Sequence, residues 1–335
     1  MSDRLILTPD PLNAELRIDS QEGLITPASR HYVRTHFPIP DARGTIAIAG
    51  AVTRPRTYTL DDIRSLPSRS SAVTLECAGN GRAFLEPPAP GEPWGLGAVS
   101  TAEWTGVPLR ALLEPAGLHP GAVEILFRGA DAGVPQELGR SIAFERSLAV
   151  DRAMSDEPLV AYAMNGAPIP RDLGAPLRLV VPRHYGMASV KWLVGIVAID
   201  APFDGFFQVD RYVIDGAPIG PVRPRAIVVD PGPSGARVGS RIVLRGYAWS
   251  GHGAILRVEA STDGGSSWRD AALGGQRQSP AWREWSIEWT PERAGTYSVI
   301  ARATDASGAI QPLAQQWNEL GYANNAAQPV RVSAR

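Results

Sequence analysis

One cysteine, Cys77, stands in 335 residues. An intramolecular disulfide is therefore excluded, and with it a disulfide-stapled scaffold or an antibody-type domain. A covalently attached c-type haem, which needs Cys-x-x-Cys-His, is excluded too. Lysine is as scarce: Lys191 is the only one among the 33 residues of Lys plus Arg. No apolar run approaches the roughly 20 residues of a membrane-spanning helix. Neither sign of charge dominates, with 34 Asp plus Glu and a formal net charge of −1. Nucleic acid and anionic membrane surfaces are thus not expected partners. Met1–Pro9 shows neither an apolar signal core nor a twin arginine, so a cytoplasmic location is the expectation.

What is present is a chain long enough for two domains with their own cores. The hydrophobic fraction of 44% and charged fraction of 20% are those of a globular protein. With 34 glycines and 30 prolines, it reads as β-rich and loop-rich. Residues 1–45 read as mostly irregular. Strands are expected at Gly44–Gly50, Ser71–Glu76, Val123–Phe127, Pro158–Tyr162, Leu177–Val181 and Val194–Ile199, and short helices at Leu60–Leu66, with Thr59 as N-cap, and at Pro108–Pro115. No Gly-x-Gly-x-x-Gly and no strand–helix alternation appear, which argues against a Rossmann domain.

Gly216–Pro224 and Asp230–Gly235 read as linker. Beyond them come short alternating strands at Arg241–Trp249, Ile255–Ser261, Trp285–Trp289 and Tyr297–Ala303, with a turn at Asp263-Gly264-Gly265. This texture suggests an immunoglobulin-like sandwich. The expected fold is α+β and β-rich: a first domain over 1–221 that mixes strands with short helices, then a sandwich over 222–335. Trp282, Trp285 and Trp289 lie close together, and a strand exposes alternate faces, so part of this cluster is a candidate interface.

The two singletons invite the question of what they do. A lone cysteine can be buried filler, nucleophile or metal ligand. Cys77 sits in Leu75-Glu76-Cys77-Ala78-Gly79-Asn80-Gly81-Arg82, where small, turn-forming neighbours let a bulky group approach the sulfur. This segment resembles the cysteine loop of the sulfite oxidase family of molybdopterin enzymes, and the likeness runs along nearly the whole chain in the right order. Tyr32-Val33-Arg34-Thr35-His36-Phe37-Pro38-Ile39-Pro40 is similar to the family's Phe/Tyr-x-Arg-Asn-His-x-Pro-x-Pro. Trp94-Gly95, Gly129-Ala130-Asp131, Ala161–Arg178, Ser189-Val190-Lys191-Trp192-Leu193, Phe203–Tyr212 and Trp317–Asn325 continue it.

The resemblance implies a Mo-molybdopterin cofactor with Cys77 as the metal's thiolate ligand, a role suited to a soft sulfur. It places Arg34 and Arg82 toward the substrate anion, Trp94 in the pocket wall and Tyr212 near the metal. Tyr32, Val33, Thr35, His36, Asp131, Arg178, Ser189, Val190 and Lys191 fall on cofactor-binding positions. Gly129-Ala130-Asp131 is expected as a loop and Arg178 as the phosphate contact, where a guanidinium fork suits the geometry. His31, His119, His184 and His252 are read as ordinary polar residues. A homodimer through the sandwich is implied, as is a return of the 317–325 loop to the active site.

Two positions depart from the family's pattern. Leu173 stands where animal sulfite oxidases have a histidine, and Leu320 where they carry a third substrate-facing arginine. The expected function is oxygen-atom transfer at a Cys-ligated molybdenum centre, on a small polar or anionic oxo-substrate that need not be sulfite, with electrons passed to a separate partner. A binding protein with a degenerate cofactor domain and a cysteine hydrolase are the alternatives. The first predicts losses among Cys77, Arg178 and Lys191, and all three are kept; the second needs a histidine beside Cys77.

Overall fold

A computed structural model describes residues 4–230, 236–275 and 280–335. The first domain is organised around two five-stranded sheets. In one, Arg69–Glu76 pairs with Val99–Pro108, which pairs with Leu159–Met164; Ala167–Pro168 and Arg178–Val180 both add to Leu159–Met164. The other runs in the order Arg56–Thr59, Thr45–Gly50, Leu193–Ile199, Glu124–Gly133, Ile142–Ala149. The Thr45–Gly50/Leu193–Ile199 pair is parallel and the other pairs are antiparallel. Leu60–Ser65 is capped as expected: Asp62 N–H donates to Thr59 Oγ1 at 3.2 Å and Thr59 N–H donates to the Asp62 carboxylate at 2.8 Å. Leu109–Ala116 ends at Gly117, which takes the left-handed conformation at φ 69°.

The N-terminal segment corrects the expectation of irregular chain. Arg4–Thr8 and Asn13–Leu16 pair antiparallel, and Val33–Arg34 joins the edge of Asn13–Leu16. Asn13–Leu16 is buried at every position, so it shows no polar–apolar alternation, and prolines 9 and 11 obscure the turn between its strands. This small sheet carries Arg34.

In the second domain one sheet has the order Arg225–Asp230, Ile242–Trp249, Arg283–Trp289, Ala272–Leu273, and the other Arg269–Asp270, Ile255–Ser261, Gly295–Asp305, Val330–Ala334. With strands lettered in chain order, these are A-B-E-D and C′-C-F-G, the pairing of an immunoglobulin-type sandwich. At the start of the stretch expected as linker, Ala217–Pro218 pairs with the preceding Val213–Ile214, while Pro231–Gly235 lies outside the described residues.

The tryptophan cluster is also a correction. Trp282, Trp285 and Trp289 are all buried. Trp285 and Trp289 fill the space between the sheets of the sandwich, Trp289 edge-on to Tyr297 at 4.8 Å. Trp282 stacks on Tyr247 at 4.4 Å and donates Nε1–H to the Leu24 carbonyl at 2.9 Å, joining the two domains. Folding of the single chain consumes these side chains, so they offer nothing to a partner surface. Tyr247, Trp249, Trp282 and Tyr322 of the second domain belong to the same apolar cluster as Phe127, Val160 and Ile196 of the first.

A core shared in this way couples the domains. Calorimetry should therefore show one cooperative unfolding peak. Trp282→Ala should destabilise by about 3–5 kcal/mol, the usual cost of emptying a buried tryptophan site, and lower that peak or split it. Two separate transitions in the parent protein would contradict the shared core.

Candidate active site

The strand Arg69–Glu76 delivers Cys77 to a tight loop. Cys77 N–H donates to Ala98 O at 2.8 Å and Asn80 N–H to Cys77 O at 2.9 Å, while Gly81 takes φ +83° to close the turn. Burial raises the Cys77 thiol above its ordinary pKa, against the pull of Arg34, the Gly79 N–H and Arg82. No hydrogen bond joins its sulfur to a histidine among the described residues, as a cysteine hydrolase would need. Cys77 sits in the wall between two cavities, together with Arg34, His36 and Tyr212.

The inner cavity is lined by Tyr32, Val33, Asp131, Leu173, Arg178, Ser189 and Lys191 as well as the four shared residues. It gathers cations. Arg178 is buried, lies 4.7 Å over the Trp104 ring, and donates to Leu173 O at 2.7 Å and Ser189 O at 3.2 Å. No carboxylate pairs with it among the described residues, and burial lowers its guanidinium to about 10. Lys191 Nζ donates to Asp172 O at 3.1 Å and lies 4.2 Å over the Trp192 ring. Desolvation and the nearby Arg178 lower its ammonium pKa, which Asp131 and Asp172 oppose.

Among the described residues, two buried acceptors of this cavity have no hydrogen-bond partner: Asp131 Oδ1 and His31 Nε2. His31 Nδ1 lies 2.9 Å from the Tyr32 carbonyl. That oxygen can only accept, so Nδ1 carries the proton and Nε2 is left as an acceptor. The cavity therefore calls for an anion and for hydrogen-bond donors.

The outer cavity, of about 380 Å³, is lined by Arg82, Trp94, Phe206, Leu320 and Tyr322 among others. Arg82 lies in a slot made of glycines. A Cβ at Gly79, Gly91 or Gly321 would come within 2.7, 2.9 and 2.9 Å of atoms of its guanidino group. The guanidinium donates to Glu92 O at 3.0 Å and Leu320 O at 3.2 Å, and it lies 5.1 Å over the Tyr322 ring.

Arg34, His36 and Tyr212 form a chain with a fixed direction. Arg34 can only donate, so the 3.0 Å contact to His36 Nδ1 makes that nitrogen the acceptor. Nε2 then carries the proton and donates to Tyr212 Oη at 2.5 Å. Burial, then Arg34, holds His36 well below its ordinary pKa, so the ring stays neutral. Burial raises Tyr212, which keeps its own hydroxyl proton free to donate. Tyr212 has φ +58°, an uncommon backbone for a bulky residue, and its ring stacks on Tyr322 at 5.1 Å.

The structure thus gathers Cys77, Arg34, Arg82, Tyr212, Trp94, Tyr32, Val33, His36, Asp131, Arg178, Ser189 and Lys191 on the two cavities. Two expected contacts fall elsewhere. Thr35 spends its hydroxyl on Leu12 O at 2.7 Å, and Val190 is a core residue whose carbonyl accepts from Leu179 N–H at 2.8 Å. Both lie outside the walls of either cavity. Gly129-Ala130-Asp131 is not a loop but part of the strand Glu124–Gly133, at an irregularity in its pairing. A Cβ at Gly129 would fall 2.3 Å from Asp131 Oδ1, so this glycine makes room for the carboxylate. His31 is no ordinary polar residue, since it lines the inner cavity. Tyr322 was legible only as part of a signature, and its contact with Tyr212 bridges distant parts of the chain.

Buried neutral histidines make the fold acid-sensitive. Burial lowers His31 to about 3 and His184 to about 4 from an ordinary 6.5. Below pH 6.5 the unfolded chain takes up protons that the folded chain does not, so stability falls with pH until the folded values are reached. Each group contributes up to about 1.4 kcal/mol per pH unit. Between about pH 6 and pH 4, His31→Gln should flatten the dependence of melting temperature on pH. An unchanged slope would show that His31 is not held neutral.

Residues 36–207 match the oxidoreductase molybdopterin binding domain, and residues 225–334 match the Mo-co oxidoreductase dimerisation domain. Mouse mitochondrial sulfite oxidase is 34% identical over 96% of this chain and 66% of its own length. Chicken sulfite oxidase is 35% identical over 94% of this chain and 75% of its own. The NADH nitrate reductase of Solanum lycopersicum is 33% identical, with 94% of this chain covering 39% of that protein. The chain therefore spans just under two thirds of the mouse relative and a smaller share of the plant enzyme. In three dimensions, the sulfane dehydrogenase SoxCD from Paracoccus pantotrophus superposes with a TM-score of 0.87 at 27% identity, covering 99% of this chain and 88% of that one. The chain belongs to the sulfite oxidase family of molybdopterin-dependent oxidoreductases.

Proposed function

We propose that this protein transfers an oxygen atom to or from a compound that carries a polar or anionic oxo head and a larger, partly apolar remainder. The family's cofactor suits the inner cavity on the chemistry of its donors. Arg34, Arg178 and Lys191 line this cavity against the one carboxylate of Asp131, and that excess of positive charge fits a phosphate. Asp131 Oδ1 and His31 Nε2 are acceptors for ring N–H groups. Cys77 is the soft ligand a thiophilic metal takes. Bound there, the cofactor supplies the oxygen-atom transfer and the change of oxidation state.

The chain's own residues then act on the other face. Arg34 and Arg82 draw an anionic head toward Cys77. Tyr212 offers a hydroxyl proton from a position fixed by His36. The buried aromatic walls limit water at the reacting atoms. The observation that carries the substrate reading is the outer cavity. Its 380 Å³ greatly exceeds the roughly 10–15 Å³ that one water needs on the same measure, and so exceeds what a small oxyanion fills. Leu320 stands in its wall beside Tyr322 and Phe206. Sulfite itself is the second reading, favoured by the two arginines.

A homodimer through the second domain and a separate electron carrier complete the proposal. The match of residues 225–334 to a dimerisation domain supports the dimer.

The test uses metal-loaded protein with an artificial electron acceptor or donor. Sulfite should be a poor substrate beside organic sulfur-oxo compounds. Leu320→Arg should raise sulfite kcat/KM. A missing buried charge partner costs about 2–5 kcal/mol, so the gain should be roughly 30-fold to several thousand-fold. Efficient sulfite turnover by the parent protein, with no gain from Leu320→Arg, would overturn the substrate reading.

A further inference from the structure

We propose that the second domain is part of the metal site, with Arg225 and Asn324 as positioning residues for Cys77. The inference rests on the reading that Cys77 is the metal's ligand. Within the loop after Glu76, three carbonyls are held by donors from the second domain. Ala78 O accepts from Ala323 N–H at 2.7 Å. Asn80 O accepts from the Arg225 guanidinium at 3.2 Å. Gly81 O accepts from Asn324 Nδ2–H at 2.8 Å. Arg225 also donates to Asn324 O, so one guanidinium ties the cysteine loop to the returning segment.

The same guanidinium reaches the side chain that precedes the thiol. Arg225 Nε lies 2.9 Å from Glu76 Oε1, and the two side chains are 2% and 1% exposed. Trp249 Nε1–H donates to Glu76 Oε2 at 2.7 Å, and Asn80 Nδ2–H to Oε1 at 2.9 Å. The residues on either side of Cys77 are therefore pinned, one by its carboxylate and the other by its carbonyl. Ala323 holds its N–H in place with φ +52°, a left-handed conformation that a residue with a Cβ rarely adopts. With the backbone fixed on both sides, the sulfur has little freedom between the two cavities. Outer partners that orient a ligand also tune the metal it holds.

Two variants test this. Arg225→Lys keeps the charge opposite Glu76 but loses the fork, and Asn324→Ala removes the Gly81 contact together with a 3.3 Å bond from Ala326 N–H within its own segment. Val258→Ala, in the sandwich core away from the loop, controls for general loss of stability. Cys77 is the only thiol, so its alkylation rate in metal-free protein reports the loop alone. Both positioning variants should alkylate faster than the parent, while Val258→Ala should not. In metal-loaded protein, both should shift the sulfur-to-metal charge-transfer band and lower kcat roughly 10- to 100-fold, with KM nearly unchanged. If Arg225→Lys does not fold, Asn324→Ala decides alone. Variants that match Val258→Ala in alkylation rate, band position and kcat would overturn the proposal. A parent protein that takes up no molybdenum would instead sink the function reading, and the alkylation rates would still judge the loop.

Discussion

Glu76 carries a carboxylate into the interior one residue before the only thiol, and it is 1% exposed there. A charge in that position is costly unless it is paired and hydrogen-bonded. Arg225, Trp249 and Asn80 together meet that demand. Removing one partner from such a pair costs about 3–5 kcal/mol, so the first domain is incomplete without the strand Arg225–Asp230 and the end of the strand Ile242–Trp249. The second domain thus supplies both a share of the apolar core and the partners of Glu76 beside the cysteine loop.

Above that support, the electrostatics divide by cavity. On the inner side, Arg178 and Lys191 are desolvated without a full complement of carboxylates, and two acceptors stand unpartnered. On the outer side, Arg82 is held rigid by glycines and carbonyls, while Leu320 keeps one wall neutral. Cys77, Arg34, His36 and Tyr212 belong to both sides. The chain from Arg34 through His36 to Tyr212 runs one way, because a guanidinium can only donate. Its last proton is thereby available at the boundary between the cavities.

Much of this was legible in the sequence, for physical reasons. The single cysteine in small, turn-forming surroundings and the single lysine stood out against a composition that avoids both. Thr59 announced a helix start through capping chemistry. Alternation announced the sandwich strands. The rest depended on contacts that no local pattern records. Asn13–Leu16 is buried on both faces and so has no periodicity. Thr35 turned its hydroxyl to the Leu12 carbonyl, a choice made by the neighbouring strand. Asp131 lies in an irregular strand where the resemblance implied a loop. Trp282 joins the two domains, although its spacing suggested a surface. Arg225 carries no local signal in the sequence, and its partner Glu76 lies in the other domain.

The central claim is that Cys77 holds molybdenum in the wall between the two cavities. X-ray absorption at the molybdenum edge of the purified protein tests it most directly. The account predicts one more short metal–sulfur contact than the cofactor's own dithiolene provides, lost in Cys77→Ser while the protein stays folded. An unchanged sulfur count in Cys77→Ser would contradict it.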